Sequence, residues 1–242
     1  MTAVALPTRK DEAWRYADME AAAKLWPVPP AEQIRLEPGE VRQAALVAEE
    51  GIRDFAITLG AGARYDFRIL NVAERYSRIA IELTLHEGAD FTLGAAQLAG
   101  GSATLEIVTT VTHAGPDATS KQTVRSVAGG MATVTYLGKV AVARGADGTD
   151  AGQSVRAMLL DRTATANAKP ELEIYADDVK CAHGCAVGEL DQQALFYMAS
   201  RGIEPAQAKR LMLQAFIAEA FVGAADEETL TAAALARLET LV

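Results

Sequence analysis

The chain has 242 residues, which bounds it to one or two domains, and half of them are hydrophobic, enough for a sizeable core. A formal charge of −9 without basic clustering argues against a nucleic-acid partner. Two cysteines do not make a secreted disulfide framework, and no apolar run approaches the ~20 residues of a membrane span. Residues 1–19 also lack the apolar core of a signal peptide, so a cytoplasmic protein without a membrane contact is the expectation.

Residues 8–26 read as one or two short helices, with Asp11 and Glu12 early, where a helix start favours acids. Trp14, Tyr16 and Trp26 are suited to pack this segment onto the body. Pro27, Pro29 and Pro30 then break the pattern, so residues 1–50 read as a helical segment and linker. From 51 to about 169 the chain reads as short β runs at 55–59, 65–71, 79–85, 90–93, 104–112, 121–127, 133–142 and 155–160. Turn residues separate them, and Gly88, Gly115 and Gly145 recur at intervals of 27 and 30. Repeats of that length point to stacked coils, in which each coil buries its inward alternate positions against its neighbours. A β-sandwich accounts for short strands equally well. Gly60-Ala61-Gly62 resembles the start of a dinucleotide fingerprint, but Tyr65 stands at the third glycine position, so a turn is expected.

The stretch from Lys169 to Asp191 holds both cysteines, Cys181 and Cys185, and one of three histidines, His183. Leu172, Ile174 and Ala176 alternate with Glu173, Tyr175 and Asp177 at the period of a strand. Cys181, His183 and Cys185 continue that period, which puts all three on one face of an extended chain. Thiolate and imidazole suit iron, zinc and copper(I). A closed zinc site needs four ligands, and beyond these three the chain offers only His86 and His113 as further histidines or cysteines. Along a straight strand the Cα atoms of Cys181 and Cys185 stand about 13 Å apart. That is too far for a disulfide and for comfortable sharing of one ion, unless Gly184 bends the chain. A buried cysteine is also often no more than a small hydrophobe. Asp177 and Asp178 point to opposite faces of a strand and are poorly placed for shared acid–base work. A β-helix polysaccharide-cleaving enzyme is therefore a weak alternative, with few aromatics to stack on sugars.

After Asp191 the pattern is helical, and residues 191–242 read as a C-terminal helical domain following a core at 51–190. Asp191 caps the first helix, Gly202 stops it, Pro205 opens the second, and Asp226, Glu227 and Glu228 open the third. So small a bundle cannot bury all its apolar stripes alone, and the surplus must dock on the β body or a partner.

The run PELEIYADDVKCAHGCAVGELD, followed by ALFYMASRGI, resembles the SufB/SufD family of iron–sulfur cluster assembly scaffolds, and within it the SufD subunit. The likeness extends through GKVAVARGADGTDAGQSVRAMLL and ATANAKPELEI, and at the start through LPTRKDEAWRYADM. It implies a mainly β fold, a right-handed parallel β-helix with a short N-terminal helical segment and C-terminal helices. It implies a non-catalytic scaffold, which agrees with the lack of a P-loop pattern. Implied partners are a SufB-like subunit at the β-helix end and a SufC-like ATPase on the C-terminal helices. The implied cargo is a transient iron–sulfur cluster shared with the partner subunit, for which His183 matches the family's motif histidine. Cys181 and Cys185 are second-rank ligand or sulfur-handling candidates, since Cys185 stands where the family usually has Ala. Ala182 stands where Ser or Thr is frequent. The chain is shorter than SufD proteins commonly are, which implies abridged N-terminal and middle parts. A homodimer sharing a metal site across its two-fold axis is the alternative, and flavin binding is left open.

Overall fold

The computed structural model describes residues 5–241. Strands β1 (Glu32–Leu36), β2 (Val41–Ala48), β3 (Gly51–Leu59), β4 (Arg64–Asn71), β5 (Tyr76–Leu85) and β6 (Asp90–Ala99) lead into β7 (Thr104–His113), β8 (Thr119–Ala128), β9 (Thr133–Val142), β10 (Asp150–Leu159), β11 (Thr165–Ile174) and β12 (Lys180–Glu189). Each pairs in parallel with the strand two places along. The odd strands form one six-stranded sheet and the even strands a second. The chain thus winds as a parallel β-solenoid with two strands per coil, and the sandwich reading falls away.

Alternation explains the winding. On the odd sheet Ile79, Ile81, Leu83 and Leu85 point inward, and on the even sheet Tyr65, Phe67 and Ile69 meet them in one buried cluster. Aromatic rings fill the early coils: Phe55 meets Phe67 edge-on at 5.5 Å, and Tyr65 stacks on Phe67 at 5.5 Å. The turn ridge is glycine-dependent where coils approach closely. A Cβ on Gly115 would meet the backbone nitrogen of Glu87 at 2.5 Å, one coil below.

The strands exceed the sequence reading at several places. β1 and β2 occupy residues read as linker; they are edge strands with few buried side chains, so their alternation is faint. The run at 90–93 continues to Ala99 because Gly94, Ala96 and Leu98 face not solvent but the C-terminal helices. A strand buried on both faces does not alternate. The expected period through Ala176 stops at Ile174, and a bend at Asp177 and Asp178 separates β11 from β12.

Helices α1 (Met19–Lys24), α2 (Gln192–Ser200), α3 (Pro205–Ala218) and α4 (Glu227–Leu238) pack outside the coil. The side chain of Asp18 caps α1, and that of Asp191 caps α2 by accepting from the Gln193 and Ala194 nitrogens. The N-terminal segment lies on the odd sheet, where Ala22 meets Ile52 and Tyr76. Trp14 sits 3.9 Å from the Arg78 guanidinium, and Arg78 Nη1 donates to Glu106 Oε2 at 2.8 Å. This ion pair is almost wholly buried, and burial raises the Glu106 carboxyl pKa despite the arginine. Helices α3 and α4 cover the even sheet, joining Leu213, Ile217, Leu230, Ala234 and Leu238 to Leu70, Ala96, Leu98 and Val127.

His113 supplies a test of the core. Its ring is fully buried, with Nε2 2.9 Å from Ser120 Oγ, and burial pulls its pKa down to about 4. The unfolded chain, with a pKa near 6.5, therefore binds more protons between those values. Stability present at neutral pH is lost as pH falls from about 6.5 toward 4, by about 2–3 kcal/mol from this group. Unfolding free energies from urea titrations at pH 7 and pH 4.5 should differ less in His113→Gln than in the parent by that amount. Equal differences would remove His113 as the cause.

Candidate functional site

The last coil is open. β12 pairs with β10 on one side only, and β11 pairs with β9 on one side only, so each is the terminal strand of its sheet. β12 keeps unbroken register with β10 from Lys180 to Glu189, so Gly184 introduces no bend. Cys181 lies across from Ala151, His183 from Gln153, and Cys185 from Val155. Those three partners are buried inward-facing residues. Cys181, His183 and Cys185 therefore occupy the inward phase, yet His183 and Cys185 are exposed and Cys181 is only half-buried. The inward row surfaces here because no further coil covers it.

Both thiols are free. Cys185 Sγ lies 3.7 Å from the Ala168 carbonyl oxygen, to which it donates a weak bond. Burial raises the Cys181 thiol above its ordinary range, against a smaller opposing hydrogen bond with the Ala151 backbone. The straight register keeps the three donors strung along one strand. Among the described residues, no group of three or more His, Cys, Asp and Glu is close enough to hold one ion. His86 sits at a surface turn and His113 in the core, so neither joins them. Asp177 and Asp178 form the bend before β12, where the Asp178 carbonyl accepts from Gly148.

The coils behind His183 hold residues the sequence reading passed over. Its register column runs Phe67, Leu93, Gln122, Gln153, His183. It is apolar in the early coils and polar in the late ones. Gln153 Nε2 lies 3.2 Å from Tyr136 Oη, and the Tyr136 hydroxyl donates to Gln122 Oε1 at 2.9 Å. Thr109 Oγ1 donates to the same Gln122 oxygen at 2.9 Å. The legible signal was phase: Gln122 shares the face of Val124, and Gln153 that of Val155, so both glutamines stand where a core residue belongs.

The outer edge is apolar as well. Ile174, Tyr175 and Val187 are exposed beside the open coil, and Phe196 and Tyr197 are exposed on α2. No helix among the described residues is long and apolar enough to cross a membrane.

Comparison with known proteins places this architecture. The family model described as SUF system FeS cluster assembly, SufBD core domain, matches residues 51–216. A SufBD family protein of Synechocystis, slr0076, is 32% identical over 165 residues, covering 68% of this chain and 36% of that protein. The iron–sulfur cluster assembly protein SufD of Escherichia coli is 37% identical over 108 residues, covering 45% of this chain and 26% of that protein. The chloroplastic protein ABCI7 of Arabidopsis thaliana is 46% identical over 84 residues, 35% of this chain and 18% of that protein. The chain thus spans well under half the length of these relatives. With its family model matched over most of its length, the chain belongs to the SufBD core family of the Suf iron–sulfur cluster assembly system.

Proposed function

We propose that the chain is a non-catalytic, SufD-like scaffold subunit that works by bringing an incomplete donor set to a subunit contact. The observation that carries this reading is the row Cys181, His183, Cys185 on the inward phase of an uncovered terminal coil. One chain offers too few converging donors, so the cluster, as cargo, is held only when another subunit adds its own. His183 is the leading ligand, and Cys181 and Cys185 are the secondary ones. The terminal strands β11 and β12 leave a row of backbone N–H and C=O groups unpaired on one side, which is a template for pairing with a partner's strand. A SufB-like subunit is the partner proposed for this edge.

Co-expression with SufB-like and SufC-like proteins, followed by anaerobic iron and sulfide analysis, tests the reading. The complex should carry cluster and the isolated chain should not. Full cluster retention by the isolated chain would sink it, and a self-associated pair carrying metal would favour the homodimer.

The ATPase is proposed to dock on the outer side of α3 and α4, on a groove lined by Gln207, Arg210, Leu211, Gln214 and Leu235. Leu211 is 44% exposed there. Removing the helices outright would uncover Leu70, Ala96 and Leu98, so a point substitution is the cleaner probe. Leu211→Glu should weaken ATPase capture by about tenfold, a loss of roughly 1.4 kcal/mol, while leaving the thermal midpoint and the SufB-like pairing unchanged. Undiminished capture would move the docking surface elsewhere.

A further inference from the structure

The hydrogen bonds behind His183 have a direction. Tyr136 Oη donates to Gln122 Oε1 at 2.9 Å, lies 3.0 Å from Thr109 Oγ1 and accepts from Gln153 Nε2 at 3.2 Å. With its nitrogen on Tyr136, the Gln153 amide leaves its oxygen free. Gln153 is 4% exposed, and its Oε1 is buried with no hydrogen-bond partner. An orphaned buried carbonyl oxygen is costly and is rarely left unmet. Of the two in-register neighbours of Gln153, Gln122 is already linked to it through Tyr136, and the other is His183. In this structure the exposed His183 ring makes no hydrogen bond to that oxygen, but adjacent rungs stand about 4.8 Å apart and side chains of one phase stack over each other, so a turn of the ring toward Gln153 would bring a nitrogen to it.

We propose that Gln153 is a positioning residue for His183: its free Oε1 accepts the N–H of the inward ring nitrogen and leaves the lone pair of the outward nitrogen facing the open end. A neutral imidazole has one donor and one acceptor nitrogen, so an acceptor behind the ring selects a single tautomer. Histidines that bind metal characteristically give their other N–H to such a carbonyl, which fixes the ring and raises its basicity. The file Thr109, Gln122, Tyr136, Gln153 thus serves to hold one amide the right way round. This inference rests on the reading of His183 as the leading ligand, but the tautomer can be measured without any metal.

The test is long-range proton–nitrogen NMR on the full chain with ¹⁵N-labelled histidine, at a pH well above the imidazole range. The three histidines are few enough to assign by substitution. His183 of the parent should show one neutral tautomer. Gln153→Met should convert it to the mixed population of a solvated imidazole, and Tyr136→Phe should do so in part by freeing the amide to flip. Gln153→Glu should retain the single tautomer, because a buried glutamic acid stays protonated, donates to Tyr136 and keeps an accepting oxygen. The His113 signals, set by Ser120, report whether each variant keeps its core. A mixed tautomer in the parent, or a single one in a Gln153→Met protein whose His113 signals are unchanged, would overturn the proposal. In the assembled complex, Gln153→Met should lower cluster content about tenfold or more. Unchanged cluster content beside a changed tautomer would uphold the positioning and remove His183 as a ligand.

Discussion

Gly94→Ala is expected to unseat the C-terminal helices and to lower stability by about 3 kcal/mol. Gly94 lies on the outer phase of β6, directly under the turn that follows α3. A Cβ there would run into the carbonyl oxygen of Ala220 and would also crowd Arg68 Nη1. The first of these is backbone and cannot swing aside, so the helix end must lift. Lifting it breaks the 2.8 Å bond from Arg68 Nη1 to Ala220 O. It also strains the pair of bonds from Arg125 to Glu219 Oε2, at 2.6 and 2.9 Å. Overpacking a tight contact costs about 1–3 kcal/mol, and the loss of a charged hydrogen bond adds about 1.5–3 more, of which relaxation returns a part. At this chain length the thermal midpoint should fall by about 6–12 °C. Hydrogen exchange should rise in α3 and α4 before it rises in the odd sheet. Gly152→Ala is the matched control, since a Cβ there meets nothing within 4 Å, and it should stay within about 0.5 kcal/mol of the parent. A Gly94→Ala protein that melts with the parent would show that the helices are not seated through this contact.

That contact also explains what the sequence could not disclose. Strands were legible where one face met water, as at residues 79–85, where Ile79, Ile81, Leu83 and Leu85 are buried and Glu82 between them is exposed. They were illegible where helices took the place of water. Gly94, Ala96 and Leu98 look like the end of a strand until Leu213, Ile217 and Phe221 are set against them. β1 and β2 were hidden for the opposite reason: as edge strands they bury little, and the three prolines before them dominated the reading. At the site, the common face of Cys181, His183 and Cys185 followed from spacing alone, and register with Ala151, Gln153 and Val155 made it the inward one. The open end did not follow from spacing, because exposure at a terminal coil is a property of the stack and not of the strand. The glutamine file was the largest omission. Gln122 and Gln153 drew no reading until register placed them in one column with His183.

His183→Ala should remove most of the cluster from the assembled complex while leaving folding and partner capture intact. The side chain is exposed at the terminal coil and supports none of the buried clusters, so its loss should move stability by no more than about 0.5 kcal/mol. Its chemistry differs from that of its neighbours at neutral pH. A neutral imidazole binds iron without first losing a proton, whereas a thiol with an ordinary pKa of about 8.5 must lose one. Burial moves Cys181 further from thiolate, since it raises that thiol and the chain sets no cation beside it strongly enough to reverse the effect. Cys181→Ser should therefore cost less cluster than His183→Ala. Cys185→Ser should also cost less, because its Sγ is engaged with the Ala168 carbonyl. The double serine variant should approach His183→Ala only if either thiol can replace the other. The measurement is iron and sulfide per complex after anaerobic assembly, read against capture of the SufB-like subunit in the same preparation. A complex that assembles normally and fills with cluster despite His183→Ala would leave His183 as an ordinary end-of-coil residue, and the donors would then have to be sought in the partner.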